Sequence, residues 1–212
     1  MNPFPVVLSA PSGGGKTTVA RALMRRRPDV GYSVSCTTRP PRAGEQEGVD
    51  YHFLTDETFA TVRDRGELAE WAVVHGRLYG TLKSEVERVL RGGKHVLMDI
   101  DVQGAQQVAK SFPAAVMVFV LPPSVDVLLE RLKRRNSEDA KTLLTRLRSA
   151  KAELGEVGRY HYVVVNDELE QTVDRVSAVI DAESVRRERV YALKENVAAL
   201  VQGLEREIEV LG

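Results

Sequence analysis

The sequence predicts an α/β fold of three layers around a central parallel sheet, and two observations carry that prediction. Four apolar runs, within Val6–Ser9, Lys94–Asp101, Ala115–Leu121 and Tyr162–Asp167, read as strands, with helical patterns between them. The first, Val6-Val7-Leu8, is continuous rather than alternating, as a strand buried on both faces is. It passes directly into Ala10-Pro11-Ser12-Gly13-Gly14-Gly15-Lys16-Thr17-Thr18, and a helical pattern begins near Thr17. Strand, glycine-rich turn and helix in that order make a phosphate-binding loop, so the expected fold is a P-loop one.

The loop's composition follows from its chemistry. Backbone N–H groups must converge on phosphate oxygens, and Gly13, Gly14 and Gly15 permit dihedrals that side chains forbid. The helix that follows turns its N-terminal dipole and unpaired N–H groups toward the anion. Lys16 adds a point charge for β- and γ-phosphates, and Thr17 offers a hydroxyl to Mg²⁺. One departure stands out: the first glycine of G-x-x-x-x-G-K-[ST] is Ala10 here. Phosphate binding is expected to survive this unless position 10 needs a positive φ.

Bulk properties narrow the function. The 212 residues suit one α/β domain with insertions, and 43% apolar content supports a real core. Lys+Arg and Asp+Glu are equal at 30 each, so no global field favours nucleic acid or a membrane. The single Cys36 fits a reducing compartment. No apolar run approaches the ~20 residues of a membrane span, and the N-terminus lacks the basic flank of a signal peptide. A cytoplasmic location is expected.

Along the chain, Thr17 to about Arg27 reads as a helix that ends before Pro28. Tyr32–Glu45 is rich in Ser, Thr, Arg and Pro and reads as extended or loop. Arg39 and Arg42, beside hydroxyls, suit an oxyanion such as a second phosphate, or else form a solvated basic loop. Asp50–Leu54 reads as a short strand, and Asp56 as the N-cap of a helix to about Arg65. Leu68–His75 and Arg77–Leu82 suggest strands around a turn at Gly76, so residues from about 34 to 86 form a small, mostly β insertion. A helix from Ser84 to Arg91 stops at Gly92-Gly93.

The strand ending at Asp99-Ile100-Asp101 carries carboxylates at its C-terminal end, where a P-loop fold orients Mg²⁺. Helices are expected at Val102–Lys110, after Ser124, around Leu143–Leu147 and from about Glu170 to Ser184. The basic stretch Arg131–Glu138 is either a lid over triphosphate or, more commonly for such runs, a solvated face. From Val190 onward, Leu193, Val197, Leu200, Leu204, Ile208 and Leu211 make one helical stripe. It is expected to pack on its own domain, with a two-chain helical contact as the sharper alternative.

Several motifs in order resemble the guanylate kinase family over roughly residues 4 to 190. They are Ser35–Glu45 through Asp50-Tyr51, then Glu70-Trp71, Tyr79-Gly80-Thr81, Asp99–Gly104, the arginine-bearing lid and Val165-Asn166-Asp167. The resemblance implies a central parallel sheet, a small β-rich nucleotide-binding insertion for GMP and a helical lid. The corresponding division is a core of residues 1–34, 87–127 and 151–212, an insertion of 35–86 and a lid of 128–150. It also implies ATP and GMP as partners, with Mg²⁺ as cofactor and a monomer or homodimer as the assembly.

By matching position, Arg39, Arg42, Tyr51 and Tyr79 would hold the GMP phosphate. Ser35, Glu70, Thr81 and Asp101 would read guanine, with Asp99 at the same wall. Ser12, Gly13, Gly14, Gly15, Lys16, Thr17 and Thr18 would surround the ATP phosphates, and Thr17 with Asp99 would hold the metal. Lid Arg135 and Arg146 match arginines on the ATP phosphates, Arg131 matches more weakly, and Asn166 and Asp167 match a segment near adenine. Asn136 departs from the glycine of many relatives. Lys16, Arg39, Arg42, Arg135 and Arg146 would thus carry catalysis by offsetting charge, with no base required, since the GMP phosphate is already a nucleophile.

Guanine suits this set physically. Its adjacent N1–H and N2–H donors match one carboxylate, and adenine would leave that carboxylate unsatisfied. Other classes fit less well. A guanylate-kinase-like protein-binding module typically has a degraded phosphate loop, whereas Gly15-Lys16-Thr17 is intact here. A kinase for ribose bisphosphate would share the core but not Glu70 and Tyr79-Gly80-Thr81. A nucleic-acid ATPase would be expected to carry a basic excess.

Overall fold

The structure is a computed structural model that describes residues 2–74, 76–134 and 140–212. In chain order its elements are β1 (Pro5–Ser9), α1 (Lys16–Arg26), β2 (Val30–Tyr32), β3 (Ser35–Thr37), β4 (His52–Phe53), α2 (Asp56–Asp64), β5 (Leu68–Val74), β6 (Arg77–Leu82) and α3 (Lys83–Arg91). They continue with β7 (His95–Asp99), α4 (Val102–Ser111), β8 (Val116–Leu121), α5 (Val125–Arg134), α6 (Ala140–Gly155), β9 (Tyr162–Val165), α7 (Leu169–Ser184) and α8 (Leu193–Leu211).

The main sheet is parallel in the order β2-β7-β1-β8-β9. β1 is buried along its whole length, and its side chains alternate between two cores. Val6 and Leu8 pack toward α1 and α7, among Val19, Leu23, Val176 and Ile180. Val7 packs on the other face with Val86 and Val89 of α3 and Ala105 and Val108 of α4. Both faces need apolar cover, hence the continuous run and the three layers. The chain passes from β1 to β2 and β7 on one side, then to β8 and β9 on the other, so the order reverses around β1. Ligands of open α/β sheets bind beyond the strand ends at such a point, and here the glycine loop follows β1.

A second sheet, ordered β4-β3-β6-β5, carries its own small core of Cys36, Phe59 and Leu68. β5 and β6 pair antiparallel, with a register shift between Leu68 and Glu70. Such a bulge re-aims the residues beside it. Among the described residues no helix is long and apolar enough to cross a membrane.

The structure corrects several expectations. Thr55, not Asp56, caps α2: its side chain accepts from the Thr58 N–H at 3.1 Å, and Asp56 begins the helix. The edge strand β2 (Val30–Tyr32), almost wholly before the segment read as extended or loop, was not expected; at three residues it shows no periodicity. The C-terminal stripe does not pack on its own domain, since no residue of α8 is buried. Of the basic stretch Arg131–Glu138, the first four residues close α5, whereas Arg135, Asn136, Ser137 and Glu138 lie outside the described residues.

Candidate active site

α1 starts at Lys16 with Gly15 as N-cap and no side chain on its first N–H groups. An anion at that end therefore meets unpaired donors. Gly15 has φ 92°, and a Cβ there would sit 2.4 Å from the Asn166 Nδ2. Asn166, buried at the end of β9, donates to the Gly14 carbonyl at 2.8 Å and accepts from the Thr172 hydroxyl at 3.2 Å. Arg131 of α5 donates to the Asn166 carbonyl at 3.1 Å. The loop is thus held from outside by groups far away in sequence.

Ala10 does not sit in the left-handed region: Ala192 is the one non-glycine residue with positive φ among those described. Its methyl instead occupies space that a side chain at position 14 would need, since a Cβ at Gly14 would lie 2.8 Å from the Ala10 Cβ. The condition under which alanine would spoil the loop is not met.

Lys16 reaches across to β7, donating from Nζ to the Asp99 carbonyl at 2.6 Å. Burial pulls its pKa below 10.5, while the charges of Asp99, Asp101 and Glu70 work the other way. The Asp99 carboxylate accepts from Thr17 Oγ1 at 3.1 Å and from the Tyr32 hydroxyl at 2.5 Å. Burial, and then the Asp99 charge, pushes the Tyr32 phenol up, so it stays a donor. A Thr hydroxyl and a carboxylate oxygen at this separation form a hard, all-oxygen donor pair. That fits a divalent cation that keeps most of its ligands as water and phosphate.

Across the cavity, the buried Glu70 sits past the bulge in β5. Its Oε1 accepts from Thr81 Oγ1 at 2.6 Å. Its other oxygen lies over Gly104, where a Cβ would come within 2.7 Å. Burial pushes the Glu70 carboxyl up to about 7; the Thr81 hydroxyl opposes this, Asp101 adds to it and Lys16 opposes it. Asp101 is the N-cap of α4, accepting from the Gly104 N–H at 2.8 Å. Gln107 brackets the β5 backbone, accepting from the Trp71 N–H at 3.1 Å and donating to its carbonyl at 2.8 Å. Ser35 stands opposite Thr81 in the β3–β6 ladder. Cys36 beside it is inert: burial pushes its thiol up to about 12.

The rings of Tyr51 and Tyr79 lie 6.0 Å apart, edge to face. Arg39 stands 5.4 Å from the Tyr51 centroid and donates from Nε to the Tyr79 hydroxyl at 3.2 Å. Its two terminal nitrogens hold Glu45 as a fork, each at 2.9 Å. Arg42 is exposed, and its backbone N–H donates to the same carboxylate at 2.7 Å.

Part of this set lines two cavities beside the loop, while Thr81, Arg39 and Arg42 line neither. One, of about 580 Å³, joins Lys16, Thr17 and Asp99 to Glu70, Ser35 and Tyr79. The other, of about 370 Å³, runs past Gly13, Gly15 and Thr18 to Arg131, Asn166 and Asp167. Arg146 lies half-buried on α6. The sequence reading missed Tyr32, Gln107 and Glu153. Glu153 is on α6 and accepts from the Ser12 N–H in the loop at 2.7 Å. Each acts through a backbone or carboxylate more than thirty residues away, which no local motif signals.

A sequence profile of the family described as guanylate kinase matches residues 2–183. The guanylate kinase of Aromatoleum aromaticum is 46% identical over 181 residues, covering 85% of this chain and 89% of that one. That of Clostridium perfringens is 45% identical over 192 residues, covering 91% and 88%. The crystal structure of guanylate kinase from Anaplasma phagocytophilum superposes with a TM-score of 0.72 at 35% identity, covering 91% of this chain and 92% of that one.

Proposed function

The chain belongs to the guanylate kinase family and transfers a phosphoryl group from ATP to GMP, and from that premise we propose which of its residues do so. The carrying observation is the pair of cavities lined by the glycine loop and the start of its helix, one of them also walled by the buried Glu70 that Thr81 holds.

GMP occupies the larger cavity. Ionised Glu70 accepts the guanine N1–H and N2–H, while Ser35, Thr81 and Asp101 complete the base-reading wall beside Asp99. Tyr51, Tyr79, Arg39 and Arg42 hold the acceptor phosphate, for which Arg39 exchanges part of its fork on Glu45. ATP phosphates lie along the loop from Ser12 to Thr18, on the N–H groups left after Ser12 N–H donates to Glu153 and Gly14 N–H to the Pro11 carbonyl, with the base toward Asn166 and Asp167 and Arg131 alongside. Insertion 35–86 thus serves GMP, segment 128–150 closes over ATP with Arg135 and Arg146, and the remaining residues form the core.

Lys16 stands between the two nucleotides. Phosphoryl transfer needs in-line placement and charge neutralisation more than covalent chemistry. Lys16 and the arginines supply cations, and closure excludes water. A kinase of this family generally requires a divalent metal. Thr17 and Asp99 are the proposed ligands for Mg²⁺, which when bound offsets charge on the transferred phosphate. With one buried thiol and no membrane-spanning helix among the described residues, a cytoplasmic location suits the chain.

The test is ADP release from ATP–Mg²⁺ with GMP, dGMP, AMP, CMP, UMP or no acceptor. Fast turnover with GMP and slower turnover with dGMP is expected, with the others near the no-acceptor rate. Equal rates with AMP would sink the Glu70 assignment.

A further inference from the structure

α8 is a helix without a partner. Its 19 residues include none that is buried, and Leu200, Leu204, Ile208 and Leu211 are 69%, 63%, 69% and 85% exposed. The chain is tied down just before it. Buried Glu183 accepts from the Tyr162 hydroxyl at 2.6 Å and from Arg189 Nη2 at 3.1 Å. Arg189 also lies 4.1 Å from the Phe4 ring centroid and donates to the Ala114 carbonyl at 3.0 Å. Ala192, at φ 49°, then sets the direction in which α8 leaves the core. A strained backbone of this kind persists where the surroundings fix it. Most helical stability in proteins comes from packing an amphipathic face rather than from propensity.

At about 100° per residue, Leu193, Val197, Leu200, Leu204, Ile208 and Leu211, with Val201, fall within an arc of about 100°. Val197 and Ile208, and Leu200 and Leu211, are eleven residues apart. That period is close to the helix's own, so the stripe runs nearly straight along its length of about 28 Å.

The charges select what covers it. The polar side holds Glu195, Glu205, Glu207 and Glu209 against Lys194 and Arg206. An anionic lipid surface calls for a basic polar face, so it is disfavoured. Lys194 and Glu205 flank the same edge of the stripe and Glu207 the opposite edge. In a parallel pair opposite edges meet, setting Glu205 against Glu207. In an antiparallel pair like edges meet, setting Lys194 near Glu205 of the other copy. The same arrangement layers Leu193 on Ile208, Val197 on Leu204 and Leu200 on Val201.

We propose that α8 docks antiparallel on the α8 of a second copy of this chain, making the protein a dimer through a surface separate from the nucleotide cavities. Sedimentation of the full-length protein from nanomolar to high micromolar concentration should show a species of twice 23.5 kDa. Leu200→Glu with Leu204→Glu should return it to 23.5 kDa with kcat for GMP unchanged. Orientation is read from Leu193→Cys and Ile208→Cys under mild oxidation. A disulfide should form when the two variants are mixed and in neither alone. A wild-type monomer throughout, a dimer unmoved by the double substitution, disulfides within either variant alone, or flotation of the wild type with phosphatidylserine vesicles would each overturn the proposal.

Discussion

On the acceptor side of Lys16 the cavity walls carry Glu70, Asp99 and Asp101; on the donor side they are loop backbone, Asn166 and Arg131. The first wall is acidic, and its carboxylates accept from protein donors: Thr81 on Glu70, Thr17 and Tyr32 on Asp99, and the Gly104 N–H on Asp101. The second is mostly amide and glycine geometry, which serves any polyphosphate. A buried carboxylate discriminates because the wrong base leaves it unpaired, whereas a nest of N–H groups gains affinity from charge and shape alone. Under the proposed assignment, base specificity therefore belongs to the GMP side, which also holds the acceptor phosphate, and the ATP polyphosphate to the other, with Lys16 shared.

The largest expected effect lies where the two sides join. Lys16→Ala should lower kcat by about 10³-fold, the scale of losing a preorganised charge at the transferred group, with the fold retained by circular dichroism. Near-normal turnover would detach Lys16 from both cavities. Next, Glu70→Ala should cut kcat/KM for GMP by about 10²-fold while leaving KM for ATP within about threefold. An equal loss for both nucleotides would erase the division between the sides.

The Glu70 carboxyl sharpens it further through pH. With its pKa raised to about 7, the form that accepts guanine's donors is scarce below that value. GMP affinity should weaken up to about tenfold per pH unit below 7 and level off above 8. Glu70→Gln, which has nothing to titrate there, separates this from the titration of the GMP phosphate. The stability of the ligand-free enzyme should run with the same sign. A carboxyl whose folded pKa lies above 4.5 favours folding most below the unfolded value, and that advantage fades as pH rises through about 7. The span is on the order of 3 kcal/mol, read as a fall in Tm between pH 5 and 8 relative to Glu70→Gln. A Tm difference flat across that range would refute it.

On the donor side, Asn166→Ala orphans the Gly14 carbonyl and should cost about 1–2 kcal/mol in urea unfolding, with KM for ATP raised several-fold and GMP selection intact. The smallest effect should be Ala10→Gly. Because Ala10 is not left-handed, glycine gains nothing there, and stability should fall by about 0.5–1 kcal/mol with kcat within about twofold. A large rise in ATP affinity would instead mean that the methyl distorts the loop.

Much of this was legible in the chain because it is local. The run Val6-Val7-Leu8, the loop Gly13–Thr18 and the strand ending in Asp99 each announce themselves through neighbours a few residues apart. Glu70 was legible only through resemblance: as a lone acid in a strand it reads as solvent-facing. Glu153, Gln107 and Tyr32 had no signal, since their partners are Ser12, Trp71 and Asp99.

The sequence by itself determined the three-layer fold, the phosphate loop and the amphipathic stripe of the last helix, because periodicity and glycine chemistry act over single turns. Only the tertiary structure decided which groups face one another. The bulge after Leu68 and the bare Cα of Gly104 let Glu70 turn into the cavity, and Asn166 reaches the loop because β9, parallel to β1 with β8 between them, ends at the same edge of the sheet. Whether the final stripe finds cover on its own domain was decided there too. The clamp at Glu183 and Arg189 precedes the left-handed Ala192, and the apolar face of α8 beyond it is left uncovered.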